Sequence, residues 1–171
     1  MEILLVTGEP NTGKSGVLHD LTKWLQDDKG YTISHTFHDH PFDSPKPEET
    51  YDFEVLLSSK KQILIHSATD DRECIDNLRE NLDTLDNKLD ILITTCRRFD
   101  DDTRKWQCEK MGWKLDDTEG YNVLHTADGH PILEVPLIRI KYDAFEQANK
   151  WYKEHINRLV QHILLQSPYN I

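Results

Sequence analysis

A glycine-rich segment near the N-terminus, Gly8-Glu9-Pro10-Asn11-Thr12-Gly13-Lys14-Ser15, stands between an apolar run and an amphipathic run. The apolar run, residues 1–7, is rich in leucine and β-branched residues, which is typical of a strand buried on both faces. The amphipathic run predicts a helix with one apolar face, formed by Val17, Leu18, Leu21, Trp24 and Leu25. A strand, a glycine-rich turn and a helix in this order favour an α/β fold.

The spacing of the glycine-rich segment matches the pattern G-x-x-x-x-G-K-[ST]. Gly8 and Gly13 permit backbone angles closed to other residues, so that successive N–H groups can turn toward an anion. The N-terminus of the following helix adds its dipole to this attraction. Lys14 can reach terminal phosphates, and the hydroxyl of Ser15 can coordinate Mg²⁺. The segment therefore predicts a local phosphate site in an acidic chain.

At these residues the chain resembles the P-loop nucleoside triphosphatase superfamily, and its small kinase-like branch in particular. The resemblance implies a three-layer fold in which helices flank a mainly parallel sheet, with the nucleotide at the carboxyl ends of the strands. It implies Mg²⁺ and a nucleoside triphosphate as ligands, with ATP expected and GTP as the alternative. The nucleotide-binding residues it implies are Gly8, Glu9, Pro10, Asn11, Thr12, Gly13, Lys14, Ser15 and Gly16.

The remaining sequence predicts alternating strands and helices within one domain, residues 1–171. Further strands are predicted at residues 31–37, 62–66, 89–95, 121–126 and 131–140, the last two forming a C-terminal β-hairpin around the turn 127–130. Further helices are predicted at residues 51–57, 70–85, 106–111 and 144–165. This alternation indicates a mainly parallel sheet with helices on both faces.

The composition excludes several classes of protein. With 20 basic and 31 acidic residues the net charge is −11, which repels a nucleic-acid backbone, so we do not expect a nucleic-acid partner. The longest apolar run, residues 3–6, is far shorter than the roughly 20 residues of a membrane span. No secretory signal pattern opens the chain, and Cys74, Cys96 and Cys108 lack metal-type spacing. We therefore expect a cytoplasmic protein with reduced thiols and no membrane span.

Two aspartates are candidates for the carboxylate that accompanies Ser15 in the site. Members of the superfamily usually place an aspartate at the end of a second hydrophobic strand, but residues 63–65 are followed by His-Ser-Ala-Thr, and the first carboxylate is Asp70. Asp70 is the candidate metal ligand, with capping of the next helix as the alternative. Asp39 is a second candidate, because related kinases place an acidic group after the second strand to bind or deprotonate the acceptor.

Three arginines, Arg97, Arg98 and Arg104, follow the strand at residues 89–95. The resemblance places an arginine-bearing lid here, and planar guanidinium groups suit the stabilisation of charge on transferring phosphoryl oxygens. We therefore interpret all three as candidate catalytic residues together with Lys14. The alternative is a solvated loop in which the arginines pair with the neighbouring aspartates.

These features predict a protein that binds Mg²⁺ and a nucleoside triphosphate and acts as a kinase-like phosphotransferase on a small acceptor. The alternative is a nucleoside triphosphate hydrolase, or a nucleotide-dependent regulatory protein that acts through a protein partner. A third reading is a binding module that has lost catalysis. Residues 87–90 spell the guanine-reading pattern N-K-x-D, but they precede a strand rather than follow one, so we infer no preference for GTP.

Overall fold

The computed structural model describes residues 1–37, 42, 52–85, 88–98, 101–116, 123–138 and 146–171. The strands are β1 (Glu2–Thr7), β2 (Thr32–Thr36), β3 (Glu54–Ser58), β4 (Gln62–His66), β5 (Ile91–Cys96), β6 (Lys114–Asp116), β7 (Val123–His125) and β8 (Leu133–Pro136). The helices are α1 (Lys14–Asp27), α2 (Arg72–Leu85), α3 (Asp102–Met111) and α4 (Glu146–Leu164). The fold is therefore α/β, as the sequence predicts.

Six strands form one mixed, mainly parallel sheet in the order β2-β3-β4-β5-β1-β8. Strands β4, β5, β1 and β8 run parallel to one another, so their carboxyl ends lie at the same edge of the sheet. Strand β3 runs antiparallel to both of its neighbours. The loop between β1 and α1 therefore leaves from the carboxyl edge of the sheet, at the strand next to the edge strand β8.

Helices cover both faces of this sheet, because successive strand residues point to opposite sides. On one face, Leu4 and Val6 of β1 belong to a core that includes residues of α1 and α4. On the other face, Ile3 and Leu5 belong to a core with Leu78 of α2, against which α3 also packs. None of the described helices has the length and apolarity needed to cross a membrane.

Strand β3 corrects the sequence-based prediction of a helix over residues 51–57. Residues 54–57 are buried and pair with β2 on one side and β4 on the other. A short apolar run carries no periodicity that separates a strand from a buried helix. Antiparallel pairing with β4, across the turn at residues 59–61, decides the conformation here.

The C-terminal hairpin forms only at its turn. The N–H of Thr126 donates to the carbonyl of His130 at 2.9 Å, and the N–H of Ile132 donates to the carbonyl of Leu124 at 2.8 Å. Beyond these bonds, β7 pairs with β6, and β8 leaves the hairpin to pair in parallel with β1. The predicted hairpin is therefore present at its turn, whereas β8 pairs with β1 rather than with β7, because β1 supplies the longer pairing surface.

Candidate functional site

The glycine-rich loop, residues 8–13, begins where β1 ends and closes onto the N-terminus of α1. Its start is fixed by the N–H of Gly8, which donates to the carbonyl of Cys96 at 3.1 Å. A Cβ on Gly8 would lie 2.7 Å from Oγ1 of Thr12 and 3.1 Å from the carbonyl oxygen of Leu137, so a side chain here would displace Thr12 from the loop. Gly13 has φ of 90°, a left-handed conformation that disfavours side chains.

The backbone of this loop leaves several amide groups available. Among the described residues, the N–H groups of Asn11, Thr12 and Gly13 have no backbone acceptor. Asn11 also has a left-handed conformation, with φ of 60°, and Pro10 has no N–H to offer. The side chain of Thr12 donates to the carbonyl of Glu9 at 2.9 Å. The loop is thus held in shape by its own contacts while its amides remain free to bind an anion.

Lys14, the first residue of α1, folds back over the loop. Its Nζ donates to the carbonyls of Gly8 at 3.2 Å and Glu9 at 3.0 Å. An ammonium group carries three donors, so one donor remains for a ligand. Burial lowers the pKa of Lys14, and the positive charge of Arg97 lowers it further. A negatively charged ligand would relieve both effects.

Ser15 lies beside two carboxylates in a cavity of about 310 Å³. The cavity is lined by Asn11, Gly13, Lys14, Ser15, Gly16, Asp52 and Asp70. The hydroxyl of Ser15 donates to Oδ1 of Asp52 at 3.4 Å. Burial raises the pKa of Asp52, and the charge of Asp70 raises it further. The structure therefore brings Ser15 together with the predicted Asp70 and with a second carboxylate that sequence reasoning missed.

Asp52 reaches this cavity because β3 is antiparallel to the strand beside it. Its neighbour Phe53 exchanges hydrogen bonds with Ser67: the N–H of Phe53 donates to Oγ of Ser67 at 2.8 Å, and the N–H of Ser67 donates to the carbonyl of Phe53 at 2.9 Å. The start of β3 is therefore fixed at the edge where β4 ends. Only a prediction that residues 54–66 form a β-hairpin would have placed Asp52 at this edge of the sheet. The sequence analysis predicted a helix there instead.

Asp70 is available to the site because its neighbour caps α2. The N–H of Cys74 donates to Oδ1 of Asp71 at 2.9 Å, so Asp71 is the residue that caps the helix. Oδ1 of Asp70 instead pairs with Nη2 of Arg97 at 2.7 Å. The sequence offers two roles for Asp70, a metal ligand and a cap of α2. The structure gives the capping role to Asp71.

Arg97 is a buried cation at the end of β5, with 8% of its surface exposed. Within the described part of the chain, its Nη1 is buried and has no hydrogen-bond partner. A buried donor without an acceptor costs about 1 to 3 kcal/mol. An anion bound beside Asp70 and Lys14 could supply that acceptor.

Arg104 and Arg98 occupy different surroundings from Arg97. Both Nη atoms of Arg104 donate to the carboxylate of Glu134 on β8, at 2.9 and 2.8 Å, and Nη1 also donates to the carbonyl of Arg97 at 3.2 Å. Arg98 is half-exposed, and its Nε lies 3.3 Å from Oε1 of Glu9 in the loop. The structure therefore places Arg97 and Arg98 at the loop and ties Arg104 to β8.

Two other features adjoin the loop. A second cavity, of about 480 Å³, lies on the α3 face of the sheet and includes Thr7, Arg98, Arg104 and Glu134 in its lining.

Cys96 is buried, which raises its pKa to about 12, so it is a poor nucleophile. Asp39, the alternative acidic candidate, lies outside the described residues.

The donor set at the first cavity suits a hard cation. Ser15, Asp52 and Asp70 offer hydroxyl and carboxylate oxygens, which Mg²⁺ prefers, and Mg²⁺ typically takes one or two carboxylates and completes its shell with water and phosphate. Over the described ranges, no group of three or more histidine, cysteine or carboxylate side chains is placed to hold a metal ion. Ser15, Asp52 and Asp70 are therefore the described oxygen donors that a cation in this cavity would meet.

Comparison of the chain with protein-family models, with curated proteins and with solved structures found no match. The loop and its two carboxylates are therefore the features that bear on the function of the molecule.

Proposed function

We propose that this protein binds Mg²⁺ and a nucleoside triphosphate, ATP in the first place, and acts as a kinase-like phosphotransferase on a small acceptor. The observation that carries this proposal is the cavity in which the loop, Lys14, Ser15 and Asp70 meet. Loop amides without a backbone acceptor among the described residues, a buried ammonium group, and hydroxyl and carboxylate oxygens together match the charge pattern of a magnesium-bound triphosphate. The cytoplasm, where ATP is abundant and thiols stay reduced, is the proposed setting.

The proposal includes a three-layer fold of the P-loop type. Its support is the position of the loop between β1 and α1 and the presence of helices on both faces of the sheet. In such an arrangement the phosphates lie on residues 8–16, where loop amides and the N-terminal dipole of α1 act together. Lys14 contributes the remaining donor of its ammonium group to the terminal phosphates.

Ser15, Asp52 and Asp70 would hold Mg²⁺. When bound, Mg²⁺ neutralises charge on the phosphate oxygens and orients the terminal phosphate for transfer. The hydroxyl group of the acceptor also needs a proton acceptor, and Asp52 cannot serve as one while its oxygens hold Mg²⁺. Asp39 remains a prediction for the same acceptor role.

The three arginines have different roles in this proposal. Arg97 would stabilise the negative charge on the transferring group with its Nη1, which has no partner among the described residues, while the half-exposed Arg98 can move with the ligand. Arg104 would hold the backbone of Arg97 in place through the bond to its carbonyl. Catalysis by positioning and charge neutralisation is what phosphoryl transfer mainly requires.

Titration calorimetry with ATP and GTP, with and without Mg²⁺, tests the proposal. Lys14→Ala should weaken ATP binding by about 100-fold, because it removes a charge-assisted contact in a partly dry site. Lys14→Met serves as a second variant that fills the buried space, and Lys23→Ala removes an exposed lysine from the same helix as a control. Equal affinity in wild type and both Lys14 variants, or no binding of either nucleotide, would overturn the proposal.

A second candidate function is a nucleotide hydrolase or regulatory protein that acts through a protein partner. The observation that favours it is the Asp70–Arg97 ion pair, which a triphosphate and Mg²⁺ could exchange for new contacts and so change a surface loop. Phosphate release from ATP that is unaffected by small acceptors and accelerated by a protein partner would favour this candidate. Transfer of phosphate to an added small acceptor would favour the first.

A further inference from the structure

Helix α4 is fixed against the elements around the loop by two hydrogen bonds from its middle part. Oη of Tyr152 accepts from the N–H of Ile138, just beyond β8, at 3.0 Å. One and a half turns later, Nδ2 of Asn157 donates to Oδ2 of Asp20 on α1 at 2.7 Å. Leu137, next to Ile138, donates its N–H to the carbonyl of Thr7 at 2.7 Å. The middle of α4 is thus tied to α1, the helix that leaves the loop, and to the segment after β8 that pairs with the end of β1.

Lys153 lies between these two anchors and reaches the loop itself. A Cβ built on Gly13 would be 3.7 Å from Cε of Lys153, so the lysine stem packs over this glycine. The ammonium group is one bond further along an exposed side chain. Among the described residues, it has no ion-pair or hydrogen-bond partner, so its charge is available to a ligand at Gly13.

Each of the other cations at the loop already binds at least one protein oxygen. Arg97 pairs with Asp70 and Arg98 with Glu9, while two donors of Lys14 are bound to loop carbonyls. A bound triphosphate carries more negative charge than Lys14 alone can balance, and the chain as a whole has a net charge of −11. The phosphates therefore need a second cation that is not paired with a carboxylate among the described residues, and Lys153 supplies it.

We propose that Lys153 is a binding residue for the phosphate chain of the nucleotide at the glycine-rich loop. This inference rests on the proposed function and adds to it a cation contributed by α4, far from the loop in sequence. Because Lys153 acts through its charge, its contribution falls as salt screens the contact. It also makes the position of α4 sensitive to whether phosphate is bound.

The test compares Lys153→Met, which keeps the aliphatic stem on Gly13, with Lys153→Arg, which keeps the charge. Arg158→Met is the matched control, because it removes one exposed positive charge from the same helix. The probes are ATP with Mg²⁺ and inorganic tripolyphosphate, measured by calorimetry. We expect Lys153→Met to weaken both probes about 3- to 10-fold, the range between an exposed ion pair and a charge-assisted hydrogen bond. Lys153→Arg and Arg158→Met should keep most of the affinity.

The difference between wild type and Lys153→Met should shrink when salt is raised from about 0.05 M to about 0.5 M. Equal affinities for Lys153→Met and Arg158→Met would overturn this inference and leave the proposed function standing. The same loss in Lys153→Arg as in Lys153→Met would also overturn it, because shape rather than charge would then be responsible. Failure of the wild-type protein to bind either probe would overturn both proposals together.

Discussion

The two buried arginines that follow β5 form ion pairs of nearly the same length but of different kinds. Nη2 of Arg97 lies 2.7 Å from Asp70, and Nη2 of Arg104 lies 2.8 Å from Glu134. Arg104 binds its carboxylate through both Nη atoms, whereas Arg97 has an unpartnered Nη1 within the described structure. The side chain of Asp70 is 63% exposed, and that of Glu134 is 23% exposed.

This difference separates a structural pair from an exchangeable one. Two parallel hydrogen bonds between one guanidinium and one carboxylate in a largely buried setting fix both side chains. The further hydrogen bond from Arg104 to the carbonyl of Arg97 also fixes the backbone at Arg97. A single bond to an exposed carboxylate contributes little to stability and leaves donors for a ligand. The number of bonds at each guanidinium, rather than the residue type, indicates which arginine is free to act.

Breaking the structural pair should have the largest effect on stability. Glu134→Leu leaves the buried guanidinium of Arg104 without its carboxylate, and we expect the free energy of unfolding to fall by about 4 kcal/mol. The double variant Arg104→Met/Glu134→Leu should recover most of this loss, because the uncompensated charge is gone. Urea unfolding of the three proteins measures both values. A loss under about 1 kcal/mol in Glu134→Leu would place this pair in the same class as Asp70–Arg97.

A third carboxylate, which is buried and binds an uncharged amide, extends the comparison of the two ion pairs. Glu54 on β3 is fully buried and accepts from Nδ2 of Asn81 at 3.0 Å, and burial raises its pKa from 4.5 to about 7. The folded state therefore holds this proton more tightly than the unfolded state. The resulting stability is fully present below pH 4.5 and is lost as the pH rises to about 7.

The loss from Glu54 across this window should be about 3 kcal/mol, at about 1.4 kcal/mol for each pH unit. Glu54→Gln keeps the shape and the contact with Asn81 but removes the titration, so its unfolding free energy should decline less over the same window. Glu73→Gln, an exposed carboxylate on α2, is the control and should keep the wild-type slope. Parallel pH profiles for Glu54→Gln and wild type would contradict the assignment.

The sequence predicts the parts of this molecule that depend on local pattern. The strand, loop and helix at residues 2–27 and the strand at residues 62–66 are confirmed, because burial periodicity and glycine positions specify them. The strand β3 and the placement of Asp52 beside Ser15 were not predicted, because both depend on antiparallel pairing between strands. Likewise, no local signal separates Arg104 from Arg97, since the partner Glu134 comes 30 residues later.

The smallest effect on stability, and the most specific effect on function, should come from the exchangeable pair. Asp70→Asn removes a carboxylate that is largely exposed, so we expect the unfolding free energy to change by less than about 1 kcal/mol. The same change should raise the Mg²⁺ concentration needed for ATP binding about tenfold, because one of two carboxylates near Ser15 loses its charge. Glu80→Gln, which removes an exposed charge from α2, should leave both quantities as in the wild type.

Arg97→Met should separate stability from turnover in the same way. Its removal takes away a buried, incompletely bonded charge, so unfolding should change little, while transfer of the terminal phosphate should slow by about 10- to 100-fold as a charge-stabilising contact is lost. Single-turnover measurements with saturating ATP report the chemical step apart from binding. If Arg97→Met destabilised the fold as strongly as Glu134→Leu and left turnover unchanged, the two arginine pairs would be equally structural. The catalytic assignment would then fall on Lys14 and Arg98 alone.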